Sequence, residues 1–169
     1  MRSTPGLVEV HQVTAKEKVT QFDYFAGAVA GATTVIIPEE YLKFPPSYAQ
    51  LLAKEEISVF FTVPFALIQL LLRGNLTAHD LSSLRWIIFG GEPFPVKHLR
   101  GLMEALPGAK FNNMYGQAEV NGVTNFTVPE DGPGEGGAIP IGKMASNTEG
   151  LIADGEDQPV AEGEAGELL

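Results

Sequence analysis

Arg85 to Pro95 reads RWIIFGGEPFP. The apolar run Trp86-Ile87-Ile88-Phe89 stops at Gly90-Gly91, and Pro95 opens the next element. Strand, glycine turn and helix start are thus compressed into eleven residues. Downstream, Val96, Leu99, Leu102, Met103 and Leu106 recur on one helical face, Pro107-Gly108 ends the helix, and Lys110-Phe111-Asn112 begins another strand. Upstream the alternation repeats. Val59 to Val63 reads as a strand, with Pro64 in the favoured first position of a helix through Arg73. Ser47 to Glu56 reads as a helix capped by Ser47, and Thr33 to Ile37 as a buried strand ended by Pro38. Phe22 to Ala30 reads as a small-residue helix stopped by Gly31. Strand–helix–strand repeats of this length imply an α/β fold: a doubly wound, mainly parallel sheet with flanking helices.

Past residue 121 the character changes. Gly122 to Val128 reads as a strand, PEDGPGEGGAIPIG (129–142) is dense in turn residues, and short strands follow at Glu149–Ala153 and Gly166–Leu169. This divides the chain into an unassigned segment 1–20, an α/β sheet subdomain 21–121, and a β-rich start of the next subdomain, 122–169. The run GEAGELL at the end has the look of a strand beginning, so the expectation is a fragment of a larger enzyme.

Bulk properties narrow the function. A net charge of −10 offers no basic surface for nucleic acid or an anionic membrane, so neither is an expected partner. With no cysteine, disulfides, thiolate catalysis and Cys-based zinc sites are excluded. The longest apolar run, Val59 to Leu72 at about 14 residues, falls short of the roughly 20 needed for a membrane span. Residues 1–20 lack a signal-peptide profile, and the expected location is cytoplasmic.

Ligands of a doubly wound sheet bind outside the carboxyl ends of its strands. Two loops fall there: FGGEPFP (89–95) and NNMYGQAE (112–119). Gly90 and Gly91 allow a flat ligand close to the backbone, Tyr115 offers a stacking face, and Glu119 offers hard oxygens for magnesium. On spacing alone, a tight turn with a solvated Glu and a half-buried Tyr fits better. His11, His79 and His98 lack metal-ligand spacing and read as surface or capping residues. Glu162, Glu164 and Glu167 read as a solvated turn. GPGEGG has no Lys-Ser/Thr after it and is not a phosphate-binding loop.

Over roughly residues 17–169 the sequence resembles the AMP-forming adenylating enzymes, the superfamily of acyl-CoA synthetases, firefly luciferase and peptide-synthetase adenylation domains. The pieces stand in family order: QFDYFAGAVAGATTVIIPE, ISVFFTVPFALIQLL, LSSLRWIIFGGEPFP, NNMYGQAE (against the family's Asn-x-Tyr-Gly-x-Thr-Glu), IPIGKM and DQPVAEGEAGEL. The resemblance implies that Gly90, Gly91, Glu92 and Pro93 wall the adenine of ATP or AMP, and that Asn113 hydrogen-bonds its amino group. It implies that Tyr115 stacks on the base, with Met114, Gly116, Gln117 and Ala118 completing the nucleotide segment, and that Glu119 is the catalytic ligand of Mg2+. A substrate pocket of Phe22, Phe61, Ile88, Gly90, Met114, Gly122 and Val123 would suit an apolar acid. The implied reaction activates a carboxylic or amino acid as acyl-AMP, for transfer to the thiol of a carrier protein or CoA.

Three departures bear on this. Ala118 replaces the family's Thr, removing a hydroxyl contact with phosphate worth about 1 kcal/mol. Counting back places Lys18 where amino-acid-activating members carry the Asp that holds the substrate ammonium, yet GGEPFP and YGQAEVNG look closest to those same members. No Ser/Thr/Gly-rich phosphate loop lies in residues 1–20. Two readings therefore stand: a fragment of an adenylate-forming ligase, or a non-catalytic relic that serves as a nucleotide-binding scaffold. Both predict that the chain incubated with ATP, Mg2+ and a panel of carboxylic acids releases no measurable pyrophosphate; robust turnover would contradict them.

Overall fold

The computed structural model describes residues 8–12, 27–117, 119–134, 137–146 and 148–169. Its main sheet has seven strands: β1 (Val8–Gln12), β2 (Thr33–Ile37), β3 (Val59–Thr62), β4 (Trp86–Gly90), β5 (Lys110–Gln117), β6 (Asn121–Thr127) and β7 (Lys143–Met144). They lie in the order β2-β1-β3-β4-β5-β6-β7. The first five in space run parallel, and β6 and β7 are antiparallel to their neighbours. Interleaved with them are the helices α1 (Glu39–Lys43), α2 (Pro45–Lys54), α3 (Pro64–Arg73) and α4 (Val96–Ala105). A separate antiparallel pair, β8 (Ile152–Ala153) and β9 (Glu167–Leu168), follows. The fold is thus a mixed, partly parallel sheet with flanking helices plus a small second sheet.

Period-2 alternation in the strands selects which residues meet the helices. Phe60, Ile87 and Phe111 are register partners across β3, β4 and β5. All three are buried in one cluster with Tyr48 and Leu52 of α2, Leu67 and Leu70 of α3, and Leu99 and Leu102 of α4. Tyr48 meets Phe60 edge to face at 5.6 Å, a geometry that suits the ring quadrupoles. Burial pushes the Tyr48 hydroxyl far above the usual phenol range, and the Thr62 side chain pulls the other way.

Several boundaries move from their sequence positions for local reasons. Helix α2 begins at Pro45, two residues before Ser47, which makes no cap. Pro45 and Pro46 occupy the first turn, where their missing N–H groups cost nothing. Helix α3 does start at Pro64, whereas Pro95 is the residue before α4 rather than its first member. Residues 27–30 are helical and Gly31 ends them at φ +65°; the rest of the expected Phe22–Ala30 helix lies outside the described residues. Strand β2 is an edge strand and not a buried one, so Ile37 is buried while Ile36 is 57% exposed. Strand β1, unmarked by any local period, fits between β2 and β3 because two ladders hold it. The sheet also continues past residue 121 through β6 and β7, and among the described residues β8–β9 stands apart.

The turn-rich connections are tied down by specific bonds. After β6 the chain folds back over α4, where the Arg100 guanidinium donates to the Gly134 carbonyl at 3.0 Å. In the β8–β9 region, the Asp154 carboxylate accepts from the N–H groups of Glu156 and Gln158. The Gln158 and Glu156 N–H groups hold its carboxyl below the usual range.

The helix–sheet interface predicts an uneven response to truncation. Leu99→Ala, at a fully buried α4 position, should lose about 2–5 kcal/mol of stability in urea unfolding. Leu72→Ala, 61% exposed on α3, should change it by less than about 0.5 kcal/mol. Equal effects would contradict this packing.

Candidate functional site

Parallel pairing of β4 with β5 sets Gly90 opposite Met114, so the segment after β4 and the outer half of β5 meet at the carboxyl ends of the central strands. Gly90 is required there for space. A Cβ on it would collide with the Met114 carbonyl oxygen. The next residue, Gly91, has φ +90°, a conformation that other residues rarely adopt.

The loop Gly91–Pro95 is anchored at both ends of its short run. Phe94 is buried and meets Phe89 edge to face at 4.9 Å. The Glu92 carboxylate accepts the Phe65 N–H at 2.7 Å. Phe65 is the second residue of α3, whose N-terminal N–H groups have no partner within the helix, so Glu92 caps α3 from the neighbouring loop. Loops after β3 and β4 are thereby joined.

The NNMYGQAE segment differs from its expected form. It is the end of strand β5, extended to Gln117, and it turns into β6 as a hairpin closed by Val120 N–H to the Gln117 carbonyl at 3.2 Å. The register shifts between Tyr115 and Gly116. A strand wins over a loop because β6 supplies a full antiparallel ladder from Asn112↔Thr127 to Gln117↔Asn121.

Strand alternation then sorts the candidate residues into two groups. Asn112 and Met114 share one face of β5, and Asn113 and Tyr115 the other. Phe61, Ile88 and Asn112 are register partners on the face turned away from α2–α4, and Asn112 donates to the Thr127 hydroxyl at 3.0 Å. Met114 continues this face, with its side chain over Gly122. Phe61, Ile88, Gly90, Met114 and Gly122 are therefore gathered, and half-buried Val123 adjoins them in β6. Tyr115, 37% exposed, stands at the outer end of the opposite face, two residues beyond Asn113. Gly116, Gln117 and Glu119 are exposed around the hairpin tip. Phe22, Lys18 and Ala118 lie outside the described residues.

The contacts that cross the site strands had no signal in the sequence motifs. Asn113 donates through Nδ2 to the Pro140 carbonyl at 2.9 Å, and the Thr124 hydroxyl donates to the Ile141 carbonyl at 2.7 Å. Together they bind the segment Pro140-Ile141-Gly142 across the site strands. Gly142, at φ +87°, lies so close to the Asn125 carbonyl that a Cβ would collide with it. The proximity of glycine to proline hinted at a turn, but not at what the turn crosses.

Other features do not join this site. A recess of about 580 Å3 lined by Gln50, Lys54, Glu56, His79, Asp80 and Ser83 opens beside the residues preceding β3 and β4, at the opposite ends of the strands. None of the described candidate residues line it. Among the described residues no three His, Asp or Glu side chains converge as a metal site, and no helix is long and apolar enough to cross a membrane. His98 is half-buried and its Nδ1 makes no hydrogen bond.

Residues 19–169 match the family described as AMP-binding enzyme. The chain is 33% identical over 147 residues to the L-proline--[L-prolyl-carrier protein] ligase of Pseudomonas fluorescens, covering 87% of this chain and 30% of that ligase. It is 35% identical over 149 residues to surfactin synthase subunit 1 of Bacillus subtilis, covering 87% of this chain and 4% of that subunit. The crystal structure of IdnL1 superposes with a TM-score of 0.90 at 25% identity, over 98% of this chain and 34% of that one. The chain thus spans less than a third of the length of the curated relatives it matches.

The Glu92 cap gives a direct test of the loop coupling. Glu92→Ala should cost about 1 kcal/mol in urea unfolding, and Glu92→Gln should recover most of it because an amide oxygen still accepts from Phe65 N–H. Indistinguishable stabilities for all three proteins would remove the cap from the account.

Proposed function

We propose, for a chain that belongs to the AMP-binding enzyme family, that it supplies the adenine side and part of the acid pocket of an ATP-dependent ligase. In this reading the whole protein activates an amino or other carboxylic acid as acyl-AMP and passes the acyl group to a thiol. The proline ligase of P. fluorescens, which acts on a prolyl carrier protein, favours an amino acid and a carrier protein over CoA.

The observation that carries the reading is the sorting along β5. Asn113 and Tyr115 occupy one face of the strand end, and Met114, with Gly90, Ile88 and Phe61, the other. An exposed aromatic ring beside a polar amide suits a purine: the ring stacks on the base and the amide pairs with its edge. The apolar Phe61, Ile88 and Met114 suit the side chain of the acid. Two binding regions separated by one strand bring an α-phosphate and a carboxylate together near the strand's end, which is what in-line displacement of pyrophosphate needs. Gly90, Gly91 and Pro93 form the backbone wall of the purine site, and Glu92 holds that wall on α3.

Glu119 would hold Mg2+, which when bound would neutralise negative charge on the phosphates. A lone exposed carboxylate fits this ion, which commonly takes one or two protein carboxylates and completes its shell with phosphate oxygens and water. Ala118 supports the scaffold alternative, in which nucleotide binds without turnover.

Calorimetric titration with AMP tests the reading. Tyr115→Ala should weaken binding about 5- to 150-fold, since stacking a base on an aromatic is worth about 1–3 kcal/mol, with folding unchanged. Glu119→Gln should weaken ATP binding in the presence of Mg2+ while leaving AMP unaffected. Unchanged AMP affinity in Tyr115→Ala would exclude the adenine role.

A further inference from the structure

We infer that Met114 limits the side chain of the acid, so that the site takes a short aliphatic acid, alanine- to valine-sized, and turns away an aromatic one. The inference rests on the acid-pocket reading above and adds to it the size class of the substrate. One level beyond Phe61, Ile88 and Asn112, Gly90 of β4 pairs with Met114 of β5. Gly122 of β6 lies beneath the Met114 side chain. Glycine thus stands on both sides of a single side chain, in a row about 10 Å wide, or two strand spacings. How much of that row is open is decided by Met114 alone.

The thioether leans toward β6. A Cβ built on Gly122 would collide with Met114 Sδ, whereas one built on Gly90 comes no nearer the Met114 side chain than its Cβ, at 3.8 Å. The half of the row over Gly122 is therefore filled, and the half over Gly90 is left as a slot one strand wide. Its inner end is closed by Ile88, two residues back on the same face of β4, with Phe61 beside it, 8% exposed. A methyl or isopropyl group fits such a slot. A phenyl ring reaches the thioether and has to displace it, and crowding a packed apolar wall is costly. Methionine is flexible enough to be displaced, so Met114 acts as a yielding limit and not as a fixed one.

The test titrates the chain with AMP and with alanyl, valyl and phenylalanyl sulfamoyladenosines, in which a sulfamate linkage stands in for the acyl phosphate of the adenylate. The unaltered chain should bind the alanyl and valyl compounds at least about tenfold more tightly than the phenylalanyl one, the scale on which apolar pockets discriminate size. Met114→Ala should bring all three within about threefold by tightening the phenylalanyl compound. Gly122→Ala should push the thioether off β6 toward Gly90 and weaken the valyl compound at least about fivefold, the alanyl one less. This second variant sets one methyl group against a flexible side chain, so it decides the matter even where Met114→Ala loses its fold. Equal affinities for the valyl and phenylalanyl compounds in the unaltered chain would overturn the inference and leave AMP binding standing. So would a Met114→Ala protein that keeps the full preference, or a Gly122→Ala protein that binds the valyl compound as before. No AMP binding at all would overturn the nucleotide-site reading and this inference with it.

Discussion

Everything in this molecule depends on the alternation of side chains across β3, β4 and β5. Phe60, Ile87 and Phe111 must all face α2, α3 and α4, because that interface is the core. Once they do, the pleat dictates the rest of each strand. Phe61, Ile88 and Asn112 turn to the other face, and beyond the core β5 presents Asn113 and Tyr115 on one side and Met114 on the other. A shift of one residue in any strand would bury polar groups and exchange the two regions at once. The site is therefore registered by the same burial that stabilises the sheet.

Loops at the strand ends complete the arrangement with few bonds. Gly90 allows β4 and β5 to approach until only a hydrogen fits at its Cα, against the Met114 carbonyl. Glu92 reaches across to cap α3, so the wall after β4 cannot move independently of the helix after β3. Phe94 plugs the loop into the core against Phe89. On the far side, Asn113 and Thr124 hold the Pro140–Gly142 segment over the strands. Phe94 and Thr124 tie these loops to buried positions, and Glu92 and Asn113 tie them to neighbouring elements, which is how a loop gains precision.

Much of this was legible in the sequence. RWIIFGGEPFP contains a strand, its glycine stop and a helix start in local code, and the structure follows it to within a residue. Val59–Arg73 was similarly transparent, with Pro64 marking the start of α3. What stayed hidden depends on distant partners. Val8–Gln12 is a strand because β2 and β3 flank it, and five residues contain too little period to announce that. The polar stretch at Tyr115 looked like a loop because its strand character comes from β6. Glu92 looked like a wall residue, but its carboxylate is spent on a helix 27 positions away. No motif pointed to Thr124, whose part depends on a segment that returns after the glycine- and proline-rich turn.

The central claim is that the face of β5 bearing Asn113 and Tyr115 receives a purine. Intermolecular nuclear Overhauser effects between bound AMP and the isotope-labelled chain test it most directly. The account predicts cross-peaks from the adenine H2 and H8 protons to the Tyr115 ring and the Gly90–Gly91 backbone, with none to Phe61 or Ile88. Cross-peaks confined to Phe61, Ile88 and the Met114 methyl, or to the recess around His79 and Ser83, would contradict it.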